Sequence, residues 1–371
     1  MTQIRSSGQA KFTAEDSRWM LHSIRSAAQG RGRVEPNPMV GATLVADGKC
    51  VGEGWHEVFG GPHAEINALT AAGPAARGST LYVNLEPCCH HGKTGPCVDA
   101  IIKAGVSRVI CAMVDPFDAV NGKGIAALAA AGVQVDVGCM ESQARQVNAG
   151  YLSLIETGQP LVLVKWAQTL DGKISSPHLG RYITSDAARV EAHRIRATCQ
   201  GIMVGVGTVT ADDPLLTCRS APGNSPHRFV LDGRLRTPAS SQIVETARQV
   251  PVTLLTTAAG THENPAMVKR FKECGVEVLE IGEKPPLKLV DVLKELGRQK
   301  ITYLLVEGGR AVIRSVLTEK LAAQAAIFIA SKFAGPGLSV LDDSLPPFRL
   351  DDVHIRHFGP DVLMEGRVDY V

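Results

Sequence analysis

No stretch of this 371-residue chain approaches the roughly 18 consecutive apolar residues of a membrane span, so no bilayer-crossing helix is expected. Residues 1–20 carry Arg5, Lys11, Glu15, Asp16 and Arg18 and no apolar core segment, so no signal peptide is expected either. Charge of one sign is also missing in any concentrated form. The formal net charge is only +2 and the lysines and arginines are scattered, which removes nucleic acid and membrane from the expected partners. Internal repeats and low-complexity runs are lacking, leaving no basis for a fibre or a disordered scaffold. There is no disulfide framework: the nine cysteines are an odd number spread along the chain, as expected of reduced thiols in a cytoplasm. The composition, 44% hydrophobic and 20% charged, is that of a soluble globular protein long enough for two ordinary domains.

What is present is a set of residues typed for metal chemistry. His63, Ala64 and Glu65 are followed by Glu86-Pro87-Cys88 and then by Cys97. An imidazole and two thiolates occupy three corners of a tetrahedral zinc ion and leave the fourth for water, which the metal acidifies from a pKa of about 16 towards about 7. A glutamate two residues from the histidine suits a proton carrier, not a ligand, and the combination points to hydrolytic deamination. A structural zinc site without an open position is the blander reading. Eight residues separate Cys88 from Cys97, where deaminases in general space their cysteines three apart. Cys89, His90 and His91 lie between or beside them as alternative ligands. Cys97, however, opens the apolar-periodic run 97–104, and a thiolate at a helix N-terminus is favoured by the local dipole.

Around this motif, periods of 3.6 and 2 alternate, as in an α/β domain. Helices are expected at 13–29, 63–72, 125–131 and 141–156, a hairpin across Asp47-Gly48, and strands at 81–85, 108–114 and 133–137. This arrangement puts the metal donors at one end of a sheet on two helix N-termini. A change of organisation near Thr157-Gly158-Gln159-Pro160 divides the chain into domains 1–158 and 159–371. The second restarts with a strand at 161–166 and alternates strands and helices to a final pair of strands meeting around Phe358-Gly359-Pro360-Asp361, which implies a separate α/β domain with a mostly parallel sheet.

Two glycine turns follow strands in this half, Gly205-Val206-Gly207-Thr208 and Glu307-Gly308-Gly309. Such glycines let backbone N–H groups approach a phosphate, though neither stretch is a full dinucleotide fingerprint and turn geometry alone explains many of them. Lys165 stands in a strand that otherwise reads Leu161-Val162-Leu163-Val164, so it needs a carboxylate partner or a substrate unless it lies at an exposed strand end. Asp212, before Asp213-Pro214, reads equally as a turn residue or a functional carboxylate.

With Pro36-Asn37-Pro38, His63-Ala64-Glu65, the loop from Glu86-Pro87-Cys88 to Pro96-Cys97, Lys165 with Leu170-Asp171-Gly172, Ile183-Thr184-Ser185 and the run from Gly207 to Arg219, the chain resembles the bifunctional deaminase/reductases of riboflavin biosynthesis. The resemblance covers nearly all of it, and the wide cysteine spacing is that family's own form. It implies an N-terminal cytidine-deaminase-like three-layer α/β/α domain and a C-terminal dihydrofolate-reductase-like α/β domain. The first reaction would deaminate a diaminopyrimidinone carrying a ribosylamine 5-phosphate, and the second would use NADPH to reduce the ribosyl to a ribityl chain. By the resemblance, His63, Cys88 and Cys97 bind Zn²⁺, Glu65 moves protons, and Asn37, His56, His90 and Lys93 hold the pyrimidine. In the second domain it assigns Lys165, Asp212 and Glu307 to the reacting end and Arg196, Leu216 and Arg219 to the sugar phosphate. Ala167, Tyr182, Thr208, Asp212, Gly308 and Gly309 would lie along NADP. Tyr182 and Gly180 stand where the family commonly has tryptophan and serine, and Gly95 where it has proline. A deaminase whose second domain has lost reductase activity is therefore the alternative reading, and a zinc-stabilised ligand-binding protein the non-enzymatic one. The expected partner is a small phosphoribosyl pyrimidine, with a homo-oligomer left open.

Overall fold

The computed structural model of the protein describes residues 12–90, 95–180, 182–341 and 345–371. It separates into a compact unit ending at Glu156 and another beginning at Thr157. No helix among the described residues is long and apolar enough to cross a membrane.

The first unit runs α1 (Ala14–Ala27), β1 (Gly41–Ala46), β2 (Lys49–Trp55), α2 (Ala64–Ala72), β3 (Thr80–Val83), α3 (Cys97–Ala104), β4 (Arg108–Cys111), α4 (Lys123–Ala130), β5 (Gln134–Val137) and α5 (Glu141–Val147), and α6 (Ala149–Thr157) leads out of it. Among the described residues the strands form one sheet in the order β2-β1-β3-β4-β5. The hairpin across Asp47-Gly48 pairs Ala46 with Lys49, and β3, β4 and β5 are parallel. Apolar side chains on alternate positions feed two separate cores, one on each face of the sheet. Met20, Ile24, Ala144 and Tyr151, from α1, α5 and α6, cover Val45, Tyr82 and Ile110. Ala64, Ala68, Val98, Ile101 and Leu128, from α2, α3 and α4, cover Leu44, Leu81, Val83 and Val109. The result is a three-layer α/β/α sandwich.

The helix expected over 141–156 is two helices. They part at Asn148, where the backbone leaves the helical region (φ −95°, ψ 14°) and the fully buried side chain is held by Met39: Oδ1 accepts from the Met39 N–H at 2.8 Å and Nδ2 donates to the Met39 carbonyl at 3.0 Å. A second buried amide, Asn84, donates to the same carbonyl at 2.9 Å and accepts from the Gly41 N–H at 2.8 Å. Between them these two side chains fix the chain entering β1, just after Asn37.

The second unit contains β6 (Leu161–Thr169), β7 (Lys173–Ser175), α7 (Asp186–Ala197), β8 (Gly201–Gly205), α8 (Val206–Asp212), β9 (His227–Leu231), α9 (Gln242–Glu245), β10 (Val252–Thr256), α10 (Ala258–Glu263), α11 (Pro265–Cys274), β11 (Glu277–Glu280), α12 (Leu289–Arg298), β12 (Tyr303–Glu307), α13 (Arg310–Thr318), β13 (Gln324–Ala330), β14 (Leu338–Ser339), β15 (Phe348–Phe358) and β16 (Asp361–Tyr370). Its main sheet has the order β11-β10-β9-β8-β12-β6-β13-β16-β15 among the described residues. Strands β11 to β13 of that order are parallel, and the closing hairpin β15–β16, turning between Phe358 and Asp361, joins antiparallel. The central strands are apolar on both faces, as strands covered on two sides must be. Helix α12 buries Leu289, Val292, Leu293 and Leu296, a stripe at helical spacing, in the core that also holds Val162, Leu304 and Val306. Helix α8 was not anticipated: the chain after Gly205 reads as a turn, but it winds for two turns before Asp213 stops it with φ of 41°.

Candidate active sites

Helix α2 is where the first site begins, and it lies very close to β2. A Cβ on Gly52 would sit 2.4 Å from the Ala68 carbonyl oxygen, and one on Gly54 2.6 Å from the Ala68 nitrogen. Only glycines at these two alternate strand positions let an alanine-rich helix pack so near. The packing delivers His63, the N-cap of α2, to the edge of the site, with Glu65 in the first turn. Cys88 follows β3, and Cys97 is the first residue of α3. The Nδ1 of His63 is 3.4 Å from Cys88 Sγ and 3.3 Å from Cys97 Sγ, and the three donor atoms lie within 4.8 Å of one another. Bond lengths of about 2.0 Å to nitrogen and 2.3 Å to sulfur give a tetrahedral N···S edge of about 3.6 Å, so the donor set fits zinc in both chemistry and spacing.

The thiols share this geometry unequally. A hydrogen bond from Cys97, and then one from His63, pulls the Cys88 thiol below its ordinary value against the effect of burial, and the Cys97 N–H also points at Cys88 Sγ at 3.4 Å. Glu65 is only 3% exposed, and burial, reinforced by the charge of Cys88, pushes its carboxyl up to about 7.

Two other predicted residues converge on this centre. The ring of His56 stands edge-on to that of His63, with centroids 5.5 Å apart. Its Nδ1 lies 2.9 Å from the Pro62 carbonyl, which can only accept, so Nδ1 carries the proton and Nε2 accepts from the Asn37 amide at 3.1 Å. Burial, the largest cause, and then His63 hold the His56 pKa below its ordinary value. His90 is exposed, with Phe117 edge-on at 6.1 Å. Cys89 Sγ points instead to the Ala119 carbonyl at 3.8 Å. His91 and Lys93 lie outside the described residues.

The second site forms at the carboxyl ends of β6, β8 and β12, the edge of a parallel sheet where ligands of such folds bind. The register pairs Lys165 with Glu307 across β6 and β12. Lys165 therefore has the carboxylate partner its strand position demands: Nζ donates to Glu307 Oε1 at 2.8 Å. The other carboxylate oxygen accepts from Arg196 Nε at 2.9 Å and Nη2 at 2.6 Å, and Arg196 Nη1 donates to the Thr217 carbonyl at 3.2 Å. Burial alone would raise the Glu307 carboxyl, but Arg196 and Lys165 together hold it down at about 2. Glu307 is a committed anion between two cations.

Beside this triad the two glycine turns face each other. Gly308 and Gly309 have φ of 79° and 29°, and a Cβ on either would press on Thr208, within 3.0 Å for Gly308 and 2.7 Å for Gly309. Thr208 Oγ1 is buried without a hydrogen-bond partner among the described residues. The opening N–H groups of α8 and α13, the absent side chains and this hydroxyl suit a nucleotide phosphate. Ala167 is half-buried in β6, and Tyr182 is exposed with the Arg189 guanidinium 4.2 Å over its ring. Asp212, at the end of α8, and Arg219 are exposed. Leu216 is buried with φ of 55°. A Cβ on Gly180 would meet nothing within 4 Å, so crowding does not exclude a serine there.

Three polar residues that hold these sites were not singled out in the sequence. His193 Nδ1 lies 2.9 Å from the Thr217 carbonyl that Arg196 also contacts. Arg228, fully buried, donates to the carbonyls of Leu215, Thr246 and Val250 and to Thr246 Oγ1. Glu86, quoted only as part of a motif, accepts four backbone hydrogen bonds. A charge flanked by apolar residues was the available signal for Glu86, and a charge opening the apolar run Phe229-Val230-Leu231 that for Arg228; nothing in spacing reveals their partners.

Residues 13–113 match the cytidine and deoxycytidylate deaminase zinc-binding region family, and residues 160–364 match the RibD C-terminal domain family. The riboflavin biosynthesis protein RibD of Aquifex aeolicus is 41% identical over 329 residues, 88% of this chain and 90% of its own. That of Escherichia coli is 37% identical over 373 residues, 94% of this chain and 98% of its own. The structure of Acinetobacter baumannii RibD superposes with a TM-score of 0.84 at 32% identity, covering 96% of this chain and 99% of that one. A Thermotoga maritima diaminohydroxyphosphoribosylaminopyrimidine deaminase/5-amino-6-(5-phosphoribosylamino)uracil reductase superposes with a TM-score of 0.82 at 33% identity, covering 95% and 98%.

Proposed function

Since the chain belongs to the RibD family, the bifunctional deaminase/reductases of riboflavin biosynthesis, we propose how its own residues divide the two reactions. The observation that carries the proposal is the convergence of His63, Cys88 and Cys97 beside a buried glutamate. These three side chains hold zinc, which when bound supplies Lewis-acid activation of water at neutral pH. Glu65 takes a proton from the attacking water and returns it to the departing ammonia, a task suited to a buried carboxyl in the first turn of the helix that His63 caps. His56, fixed in one tautomer by Pro62, turns the Asn37 amide nitrogen towards itself and leaves the amide oxygen for donors on the pyrimidine. His90 and Lys93 complete the grip on the diaminopyrimidinone.

In the second unit, the turns at Thr208 and Gly308-Gly309, with Ala167, Tyr182 and Asp212, hold NADPH, which supplies the hydride. The accompanying proton comes from Lys165. Glu307 cannot give it, because Arg196 and Lys165 keep that carboxylate ionised; its part is to aim the ammonium. Arg219 and Leu216 take the sugar phosphate, and Arg196 reaches it only from its position on Glu307. The reduced product carries a ribityl chain. This chemistry uses soluble small molecules and fits a cytoplasmic enzyme.

The test follows both steps on the full chain. With the phosphoribosyl diaminopyrimidine the protein should release ammonia, and with the deaminated product it should oxidise NADPH, read by absorbance. Ammonia release without NADPH oxidation by a folded sample would replace this reading with that of a deaminase alone.

A further inference from the structure

Glu86 is a buried carboxylate for which neither reaction has a use. Among the described residues its partners are backbone N–H groups. Oε2 accepts from Asp115 at 3.2 Å and Gly122 at 2.8 Å, closing both ends of the loop 116–121 on a single atom. Oε1 accepts from Gly124 at 2.8 Å and Ile125 at 3.1 Å, in the first turn of α4, where the helix dipole favours a negative charge.

The loop so closed is built onto the segment that carries Cys88. A Cβ on Gly124 would lie 2.1 Å from the Pro87 carbonyl oxygen, and Cys89 Sγ donates to the Ala119 carbonyl. Phe117, 41% exposed, stands edge-on to His90. The Asp115 carboxylate, accepting from the Phe117 N–H at 2.9 Å and from Tyr151 Oη at 2.8 Å, stiffens the loop's entry.

We infer that Glu86 is a positioning residue for the deamination: it locks the loop 116–121 so that Phe117 braces His90, and the two rings form a preset wall for the pyrimidine. The inference rests on reading the first site as a deaminase. Glu86 acts on substrate binding: its four bonds go to the loop and α4, and none of them goes to His63, Cys88 or Cys97. An amide cannot replace it, since glutamine offers one accepting oxygen and turns an NH₂ group towards N–H donors.

The experiment compares Glu86→Gln, Phe117→Ala and the double variant in the full-length zinc-loaded enzyme. Glu86→Gln should keep its zinc by metal analysis and reduce the deaminated substrate at the wild-type rate, while its KM for deamination rises about tenfold with a smaller change in kcat. Phe117→Ala should reproduce the KM rise, and the double variant should be no worse than either, since both changes remove the same wall. An unchanged KM in Glu86→Gln, zinc lost in step with activity, or additive losses in the double variant would each overturn the inference. If Glu86→Gln fails to fold, Phe117→Ala decides alone: a wild-type KM there also overturns it. A wild-type chain that releases no ammonia would instead remove the deaminase reading itself.

Discussion

Two buried glutamates in this protein have been given opposite tasks by their neighbours. Glu65 sits near a thiolate and is pushed up to about 7, whereas Glu307 sits between an ammonium and a guanidinium and is held at about 2. On the proposed reading, replacing Glu65 with glutamine removes the proton carrier and none of the three candidate metal donors. Zinc should stay at about one ion per chain while deamination falls by at least about a hundredfold. Cys97→Ser should lower the zinc content, and Cys89→Ser, whose sulfur points to Ala119, should not. For Glu307 the sign follows from a depressed pKa. Its contribution to stability is complete above the ordinary value of 4.5 and is lost as the pH falls towards about 2. The difference in Tm between wild type and Glu307→Gln should therefore be largest above pH 4.5 and shrink through that window. At this scale the clustering of His63, Cys88 and Cys97 was legible because zinc demands particular atoms in a particular order. The Glu307–Arg196 pair was not, since the two residues lie 111 positions apart and no local pattern connects them.

Elements were legible wherever apolar periodicity ran uninterrupted, as in α12, or a turn was plainly marked, as at Gly359-Pro360 between β15 and β16, and they failed where local demands overrode the pattern. The segment 141–157 keeps a helical rhythm through Asn148, but the amide there is spent on both backbone groups of Met39. Asn148→Ala should leave that N–H without its acceptor and cost about 1–3 kcal/mol of stability. A lower denaturant midpoint with an unchanged m-value would record this. Helix α8 escaped detection for a related reason. Its glycine-rich opening has poor intrinsic helix propensity, and the helix is held by burial of Val206 and Val209.

For the molecule as a whole, length and alternating patterns were enough to expect two α/β units, and the strand order within each could not be read from them. The three candidate metal donors all belong to the first unit, and the Lys165–Glu307–Arg196 triad belongs to the second. Removing zinc with a chelator should accordingly abolish ammonia release while NADPH oxidation with the deaminated substrate continues; simultaneous loss of both would contradict this division. The two sites also differ in how much chain must be gathered to make them. His63 meets Cys88 and Cys97 across 25 and 34 positions, whereas Lys165 reaches Glu307 across 142. During synthesis the donor set can close once the first hundred or so residues have emerged, since short loops cost little entropy to form. The triad must wait for β12, so on the ribosome the His63–Cys88–Cys97 cluster can assemble before the triad.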